Sequence, residues 1–348
     1  MTASPKKTII VTGGAGYLGS MMVPLLLQAG YYVKIIDRFF FGHETLGKPH
    51  KYREHYEADT RWYPQELLEG AYAVVDLAAL SNDVTGEMSR QRTLDINFKG
   101  RVRTARMAKK AGVQHYILSS SCSVYGFNDQ VVTEESAPAP ITTYAEANLL
   151  AEQSVLPLHD DDFSVTVLRL GTLYGVSPRM RFDLVVNAMT ESLFGDGVIT
   201  IQGGGLQWRP LLHVEDATRA FMRVLETSKE EVGGEIFNVG SSSHNFTINE
   251  IAQLVLNGGE LPGQLLYEEG AADVRSYRVS CDKIARVLAF ESRFTPVDGA
   301  KDITRGLATG TIVASPRTNT IGWYKRLMSQ DPDILDRKHT SKLVHIPA

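Results

Sequence analysis

Apolar residues in the first half of the chain fall into short blocks separated by longer amphipathic stretches. Residues 8–11 and 32–36 read as buried strands, with a helix over 17–28 between them. Residues 56–59 resemble a short strand, 64–68 a short helix, and 73–77 another buried strand that runs into Ala78-Ala79-Leu80. From about 89 to 110, Leu94, Phe98, Val102 and Ala105 recur at helical spacing and form one apolar stripe. The basic residues of that stretch, Arg101 among them, are expected on a solvated face. Gly112 stops the helix, residues 116–119 form the next strand, a second long helix runs from about 143 to 157, and 165–170 is a strand. This repeated alternation predicts an α/β fold, a doubly wound parallel sheet. After Tyr174 glycine-containing polar loops alternate with shorter helices, which predicts a smaller lobe over the C-terminal edge of the sheet, while 236–239 returns to the main sheet. The expected division is 1–173 with 214–243 as the main sheet domain, 174–213 with 244–325 as the smaller lobe, and 326–348 as a surface tail.

The turn between the first strand and helix is Gly13-Gly14-Ala15-Gly16-Tyr17-Leu18-Gly19. Gly14, Gly16 and Gly19 satisfy G-x-G-x-x-G, and Gly13, Gly16 and Gly19 the related G-x-x-G-x-x-G. Such glycines permit a tight turn, approach of backbone to a pyrophosphate, and close packing of helix on strand, so 1–173 with 214–243 is expected to be a Rossmann dinucleotide-binding domain and 174–213 with 244–325 its substrate lobe. The helix start at Tyr17 and Leu18 then offers N–H groups to phosphate. Asp37 closes the second strand, where a carboxylate accepts ribose hydroxyls of NAD and repels a 2′-phosphate. Arg38 beside it leaves NADP open, although NAD is favoured. Asp59, with Thr60, sits where a loop reaches the adenine edge. The small residues after Leu77, Ala78 and Ala79, let a cofactor approach the backbone.

Composition narrows the classes further. The 348 residues are 43% hydrophobic and 22% charged, with a net charge of -4, which argues against a nucleic-acid binder. Two cysteines far apart in sequence build neither a disulfide framework nor a metal-ligand spacing. Together with a polar start lacking a signal sequence, they point to the cytoplasm. No apolar run reaches membrane-spanning length.

Three further stretches carry chemistry: Leu118-Ser119-Ser120-Ser121-Cys122-Ser123-Val124-Tyr125-Gly126, Tyr144-Ala145-Glu146-Ala147-Asn148, and Leu168-Arg169-Leu170-Gly171-Thr172-Leu173-Tyr174-Gly175. Asp76 to Ala79, Asn97, Trp208 to Val214 and Asp273 to Tyr277 add to them. With the glycine turn, these make the chain resemble an extended short-chain dehydrogenase/reductase of the nucleotide-sugar epimerase, dehydratase and 4-dehydrogenase type, over about residues 8–306. Residues 177–183 resemble a subgroup acting on sugar or heptose nucleotides.

The resemblance implies an NAD cofactor held by the residues named above with Asn97, Ser119, Tyr144, Asn148, Gly171 and Leu173. It implies a Ser/Thr, Tyr and Lys acting together, the Tyr removing a proton from a sugar hydroxyl as the carbon gives up its hydride. Ser121 and Tyr144 match the first two, but the lysine position is Asn148. A free tyrosine has a pKa of about 10, so about one in a thousand is ionised at pH 7, and bringing it to ~7 corresponds to roughly 4 kcal/mol. The family's lysine supplies charge for that shift and holds the nicotinamide ribose. Asn148 keeps the ribose contact but brings no charge, so slow or altered chemistry is expected, and Asn148→Lys is expected to raise turnover near neutral pH. Where dehydratases carry an Asp-Glu pair the chain has Cys122 and Ser123, so 4,6-dehydration is not expected. Arg209 and Arg275 match the substrate-phosphate arginines, Arg181 and Asn187 come next, and Ser81, Asn82, Asp83 and Cys122 are placed near the sugar. Arg179 and Arg278 are as readily surface residues, and His213 reads as structural. The expected activity is an NAD-dependent nucleotide-sugar epimerase or 4-dehydrogenase acting at a carbinol carbon, C4 by resemblance. The alternatives are a catalytically weakened NAD and nucleotide-sugar binding protein, or a reductase of a non-nucleotide carbonyl. Homodimerisation through the two long helices is implied by the resemblance.

Overall fold

The computed structural model describes residues 7–270 and 273–338. Seven strands form the central sheet: β1 (Thr8–Thr12), β2 (Tyr32–Asp37), β3 (Arg53–Glu57), β4 (Ala73–Asp76), β5 (His115–Ser121), β6 (Ser164–Leu170) and β7 (Ile236–Val239). Their spatial order is β7-β6-β5-β4-β1-β2-β3, and every neighbouring pair is parallel. The chain winds outward in both directions from β1 and β4, as the alternation of elements predicts, so their C-terminal ends form the crevice where open α/β sheets take ligands. The strand at 236–239 does return to this sheet, beside β6. The third strand differs from the expected 56–59. It pairs with β2 from Val33↔Arg53 to Asp37↔Glu57, and as a half-buried edge strand of mostly polar residues it carries no apolar run to reveal it.

Helix α1 (Gly19–Gln28) follows the glycine turn. The long helix α2, residues 90–110, is α-helical over Arg90–Thr93, makes a π turn over Leu94–Gly100, and resumes at Arg101–Lys110. Helix α3 spans Thr143–Val155. Ile9, Val11, Val75 and Ile117 pack one face of the sheet, and Ile10, Val74, Tyr116 and Leu118 the other, as strand alternation requires. A separate cluster of Tyr174, Val186, Leu193, Ile199, Ile251 and Ala300 forms the core of the later elements. No helix among the described residues is long and apolar enough to cross a membrane.

Part of the stretch expected as a tail from 326 is built into the fold. A helix runs over Thr320–Gln330. The Tyr324 ring meets Phe40 and Phe41 edge-on at 5.8 and 5.4 Å, Trp323 Nε1 donates to Phe40 O at 2.6 Å, and Leu335 is buried. The aromatic loop after β2 supplies the apolar surface that orders this segment, a contact about 285 residues distant in sequence and therefore invisible to local periodicity. Residues 339–348 lie outside the described residues.

Two buried histidines give the fold a pH dependence. His115 is on β5, and His213 stacks on Phe294 at 4.4 Å. Burial pushes both imidazoles down to about 4. Between 6.5 and 4 the unfolded chain therefore binds protons that the folded chain refuses, and stability falls as pH falls through this window. The loss at pH 5 is about 2 kcal/mol per histidine. The urea midpoint is expected to drop between pH 7 and pH 5, and an unchanged midpoint would contradict the assignment.

Candidate active site

A cleft of about 610 Å³ lies across the C-terminal ends of the strands. Its floor is the glycine turn. Gly13 has φ +67°, and a Cβ there would lie 2.9 Å from the Ala78 Cα; one at Gly19 would lie 2.5 Å from the Gly13 carbonyl oxygen. The strand-to-strand approach and the seating of α1 therefore both require glycine. The N–H groups of Tyr17 and Leu18 have no protein acceptor among the described residues. Asp37 lines the cleft, with Oδ2 accepting from Ala15 N at 2.9 Å and Oδ1 from Phe39 N at 2.8 Å. Burial raises its carboxyl above the ordinary value, against the lowering by these amides.

Arg38 turns away from Asp37 and donates to Asp59 Oδ2 at 3.0 Å and to the Ile334 carbonyl at 3.2 Å. Burial would raise the Asp59 carboxyl, but Arg61 and Arg38 outweigh it and hold it below the usual range. Thr60, Leu77, Ala78, Ala79, Gly16, Gly171 and Leu173 also line the cleft.

Ser119 and Ser121 end β5 on the cleft wall, and Ser121 Oγ accepts from Ser123 N at 3.1 Å. Tyr144 faces the same cleft from the first turn of α3. Thr142 caps that helix by accepting from Ala145 N at 3.1 Å, and a Cβ at Gly86 would lie 2.8 Å from the Tyr144 Cβ, so the backbone on both sides fixes the tyrosine. Burial raises the Tyr144 phenol above its ordinary value; Arg101 and the Asn148 amide work the other way.

Four expected contacts are displaced. Asn148 is fully buried rather than on the cleft wall: its Oδ1 accepts from Arg101 Nη1 at 2.6 Å and its Nδ2 donates to the Tyr144 carbonyl at 3.0 Å. Asn97 spends its amide on Leu80, accepting from N at 2.8 Å and donating to O at 3.0 Å, and so pins the loop after β4. Asn187 accepts from Gly175 N at 2.9 Å and donates to the Arg181 carbonyl at 2.9 Å. Cys122 points its thiol at the Arg169 carbonyl, 3.2 Å away, and burial pushes that thiol well above its usual range. In each case a buried polar group satisfies the backbone, as burial demands. Arg101, expected in solvent, is 2% exposed and lines the cleft instead.

At the far end of the cleft the arginines are held by carboxylates. Arg181 donates to both oxygens of Asp183, at 3.0 and 2.7 Å, and to the Ser81 carbonyl at 3.2 Å. Arg209 pairs with Asp273 at 2.6 Å, and Arg275 pairs with both Asp273 and Asp83. Asn82 stands beside them at φ +116°, a strained conformation for a residue with a side chain, and donates to Asp183 at 2.9 Å. Asp83, expected near the sugar, and Asp183, the end of the 177–183 segment, instead pair with Arg275 and Arg181, a partnership that their sequence positions do not reveal. Arg179, expected as readily on the surface, is buried over the Phe41 ring at 3.6 Å, and burial pushes it down to about 9. No group of His, Cys, Asp and Glu among the described residues is arranged to hold a metal ion.

Residues 9–240 match the model of the NAD dependent epimerase/dehydratase family. UDP-glucuronic acid decarboxylase 4 of Arabidopsis thaliana is 29% identical over 257 residues, which are 71% of this chain and 56% of that protein, so the chain spans little more than half of this relative. Among solved structures, MoeE5 in complex with UDP-glucuronic acid and NAD is 27% identical with a TM-score of 0.76, covering 87% of this chain and 99% of that one. UDP-glucose 4-epimerase of Thermotoga maritima, solved with UDP-glucose, is 25% identical with a TM-score of 0.78, covering 88% and 100%. With the glycine turn, the acid at the end of β2 and the tyrosine on α3 all in one cleft, the chain belongs to the NAD dependent epimerase/dehydratase family.

Proposed function

We propose that the protein is an NAD-dependent enzyme that oxidises a carbinol carbon, C4, of a nucleotide-diphosphate sugar, as the first step toward an epimer or a keto sugar. The observation that carries this reading is that Tyr144 and Ser121 both line the cleft whose floor is the glycine turn. The site fits NAD: the Gly13 and Gly19 approaches leave no room for a side chain, the Tyr17 and Leu18 N–H groups are open, and Asp37 is fixed for a ribose. Arg38 is engaged with Asp59, which supports NAD over NADP. NAD, when bound, supplies the two-electron acceptor for the sugar carbon. Tyr144 takes the proton of the sugar hydroxyl, and Ser121 donates to the oxygen as charge develops on it. Residues 174–213 and 244–325 hold the sugar nucleotide, with Arg209 and Arg275 turning from their carboxylates to the diphosphate. UDP is the nucleotide to try first, because the relatives named above act on or bind UDP-sugars.

The test is incubation with NAD and UDP-glucose, UDP-glucuronic acid or UDP-N-acetylglucosamine, with products followed by NMR. An epimerised, oxidised or decarboxylated sugar is expected. Tight binding with no product even at high pH would favour the non-catalytic binding protein. Arg275→Ala is expected to raise KM by about 10- to 100-fold, the loss of one charged hydrogen bond or more, with a smaller change in kcat. Undiminished activity in both Arg275→Ala and Arg209→Ala would favour a small carbonyl substrate instead. We further propose that two copies pair through α2 and α3, where Phe98, Val102 and Met107 line a shallow apolar groove with Ser154. Light scattering is expected to give twice the chain mass.

A further inference from the structure

Arg101 is the largest fully buried side chain of the protein, yet it forms no ion pair among the described residues. Its Nε donates to the Ala78 carbonyl at 3.2 Å and its Nη1 to Asn148 Oδ1 at 2.6 Å, both neutral acceptors. Asp76, the buried carboxylate nearby, accepts from the Thr12 and Tyr116 hydroxyls, both at 2.5 Å, and not from the guanidinium. A buried cation without an anion is unfavourable, and such charges are found paired or serving a ligand. Arg101 and Tyr144 both line the cleft, and Asn148 bridges the Arg101 guanidinium to the Tyr144 backbone.

We propose that Arg101 is the cation that stabilises the ionised form of Tyr144, and that Asn148 is the residue that positions it. This rests on the reading of Tyr144 as the base. The unpaired charge then finds its partner when the phenol gives up its proton, so the interaction is stronger in the reacting state than in the resting one, which is what accelerates a step. Arg101 follows directly on the π turn over Leu94–Gly100, seven residues after Leu94 and four before Ala105, so helical spacing puts it on the face of the apolar stripe, where it lines the cleft. Asn148 is suited to its place: its oxygen takes the guanidinium while its nitrogen clamps the Tyr144 carbonyl one turn back. The groups acting on the Tyr144 phenol are Arg101 and Arg181, which favour ionisation, Asp83, which opposes it, and the neutral Asn148 amide; Arg101 is the strongest of those favouring it. The expectation for Asn148→Lys therefore reverses, since an ammonium there would confront the guanidinium at hydrogen-bond distance, and turnover is expected to fall.

The test compares wild type, Arg101→Gln, Asn148→Asp and the double variant Arg101→Gln/Asn148→Lys. Tyr144 is titrated by NMR of carbon-labelled tyrosine, with Tyr144→Phe identifying its signal, and the pH profile of product formation is measured beside it. Arg101→Gln is expected to raise the Tyr144 midpoint by about one pH unit or more and to lower turnover near pH 7 by about tenfold or more, with recovery at high pH. Asn148→Asp keeps Arg101 but gives it a carboxylate, so the same upward shift is expected, which holds the test open if Arg101→Gln does not fold. The double variant is expected to restore the midpoint. Midpoints unchanged in Arg101→Gln, or in Asn148→Asp should the former not fold, would overturn the proposal. A wild type that makes no product but shows these shifts would instead overturn the reading of the protein as a catalyst and leave the charge assignment standing.

Discussion

Tyr144→Phe is expected to lower kcat by roughly 10²- to 10⁴-fold, the usual span for removing a general base, while the cofactor stays bound. The side chain's ring is held by backbone on two sides, the capped first turn of α3 and the close approach of Gly86, so phenylalanine occupies the same place. The loss is then confined to the hydroxyl. The dinucleotide-holding parts lie elsewhere, at the glycine turn and Asp37. Equilibrium binding of NAD and single-turnover rates on the same preparation separate the two effects. A kcat within a few-fold of wild type would remove Tyr144 from the chemistry and, with it, the proposed reaction.

Glu152→Ala is expected to cost about 3–5 kcal/mol of stability, the range seen when one partner of a buried ion pair is removed. Glu152 is 1% exposed and Arg169 3% exposed. The carboxylate accepts from Arg169 Nη2 at 2.7 Å and from Nε at 3.1 and 3.2 Å, and it also takes the Ser120 hydroxyl. Arg169 Nη1 donates to the Tyr125 hydroxyl at 2.9 Å, which donates in turn to Asn238 Oδ1 at 2.8 Å. One network thus ties α3, β5, β6 and β7 together under the strand end that presents Ser119 and Ser121. Removing the carboxylate leaves a guanidinium buried beside neutral groups, and the urea midpoint should fall accordingly. A double substitution of Glu152 and Arg169 by apolar residues of similar volume is expected to recover much of the loss, because no charge is then stranded. A small effect of Glu152→Ala alone would mean that water reaches Arg169.

Glu152 and Arg169 also show why part of the molecule was not legible in the sequence. Arg169 sits in a strand otherwise made of apolar and β-branched residues, and a charge in such a strand is a signal of a buried partner. Nothing local says that the partner lies 17 positions earlier on α3. Asn97 and Asn187 are given ligand contacts by resemblance, because a motif position does not say which way an amide points. Both proved to satisfy backbone groups beneath the cleft. Arg101 was assigned to solvent because it is charged, although seven residues after Leu94 and four before Ala105 it lies on the same helical face as the apolar stripe.

The chain by itself determined the doubly wound parallel sheet, the glycine floor and the presence of Asp37, Ser121 and Tyr144 on the cleft. These depend on short-range patterns: strand and helix periods, glycines where no Cβ fits, and side chains at strand ends. Tertiary structure alone decided which cation faces Tyr144, which asparagines were free, and how the segment to 338 covers the loop after β2. Those outcomes turn on pairing between residues distant in the chain, where burial forces each polar group to find a partner that no local pattern names.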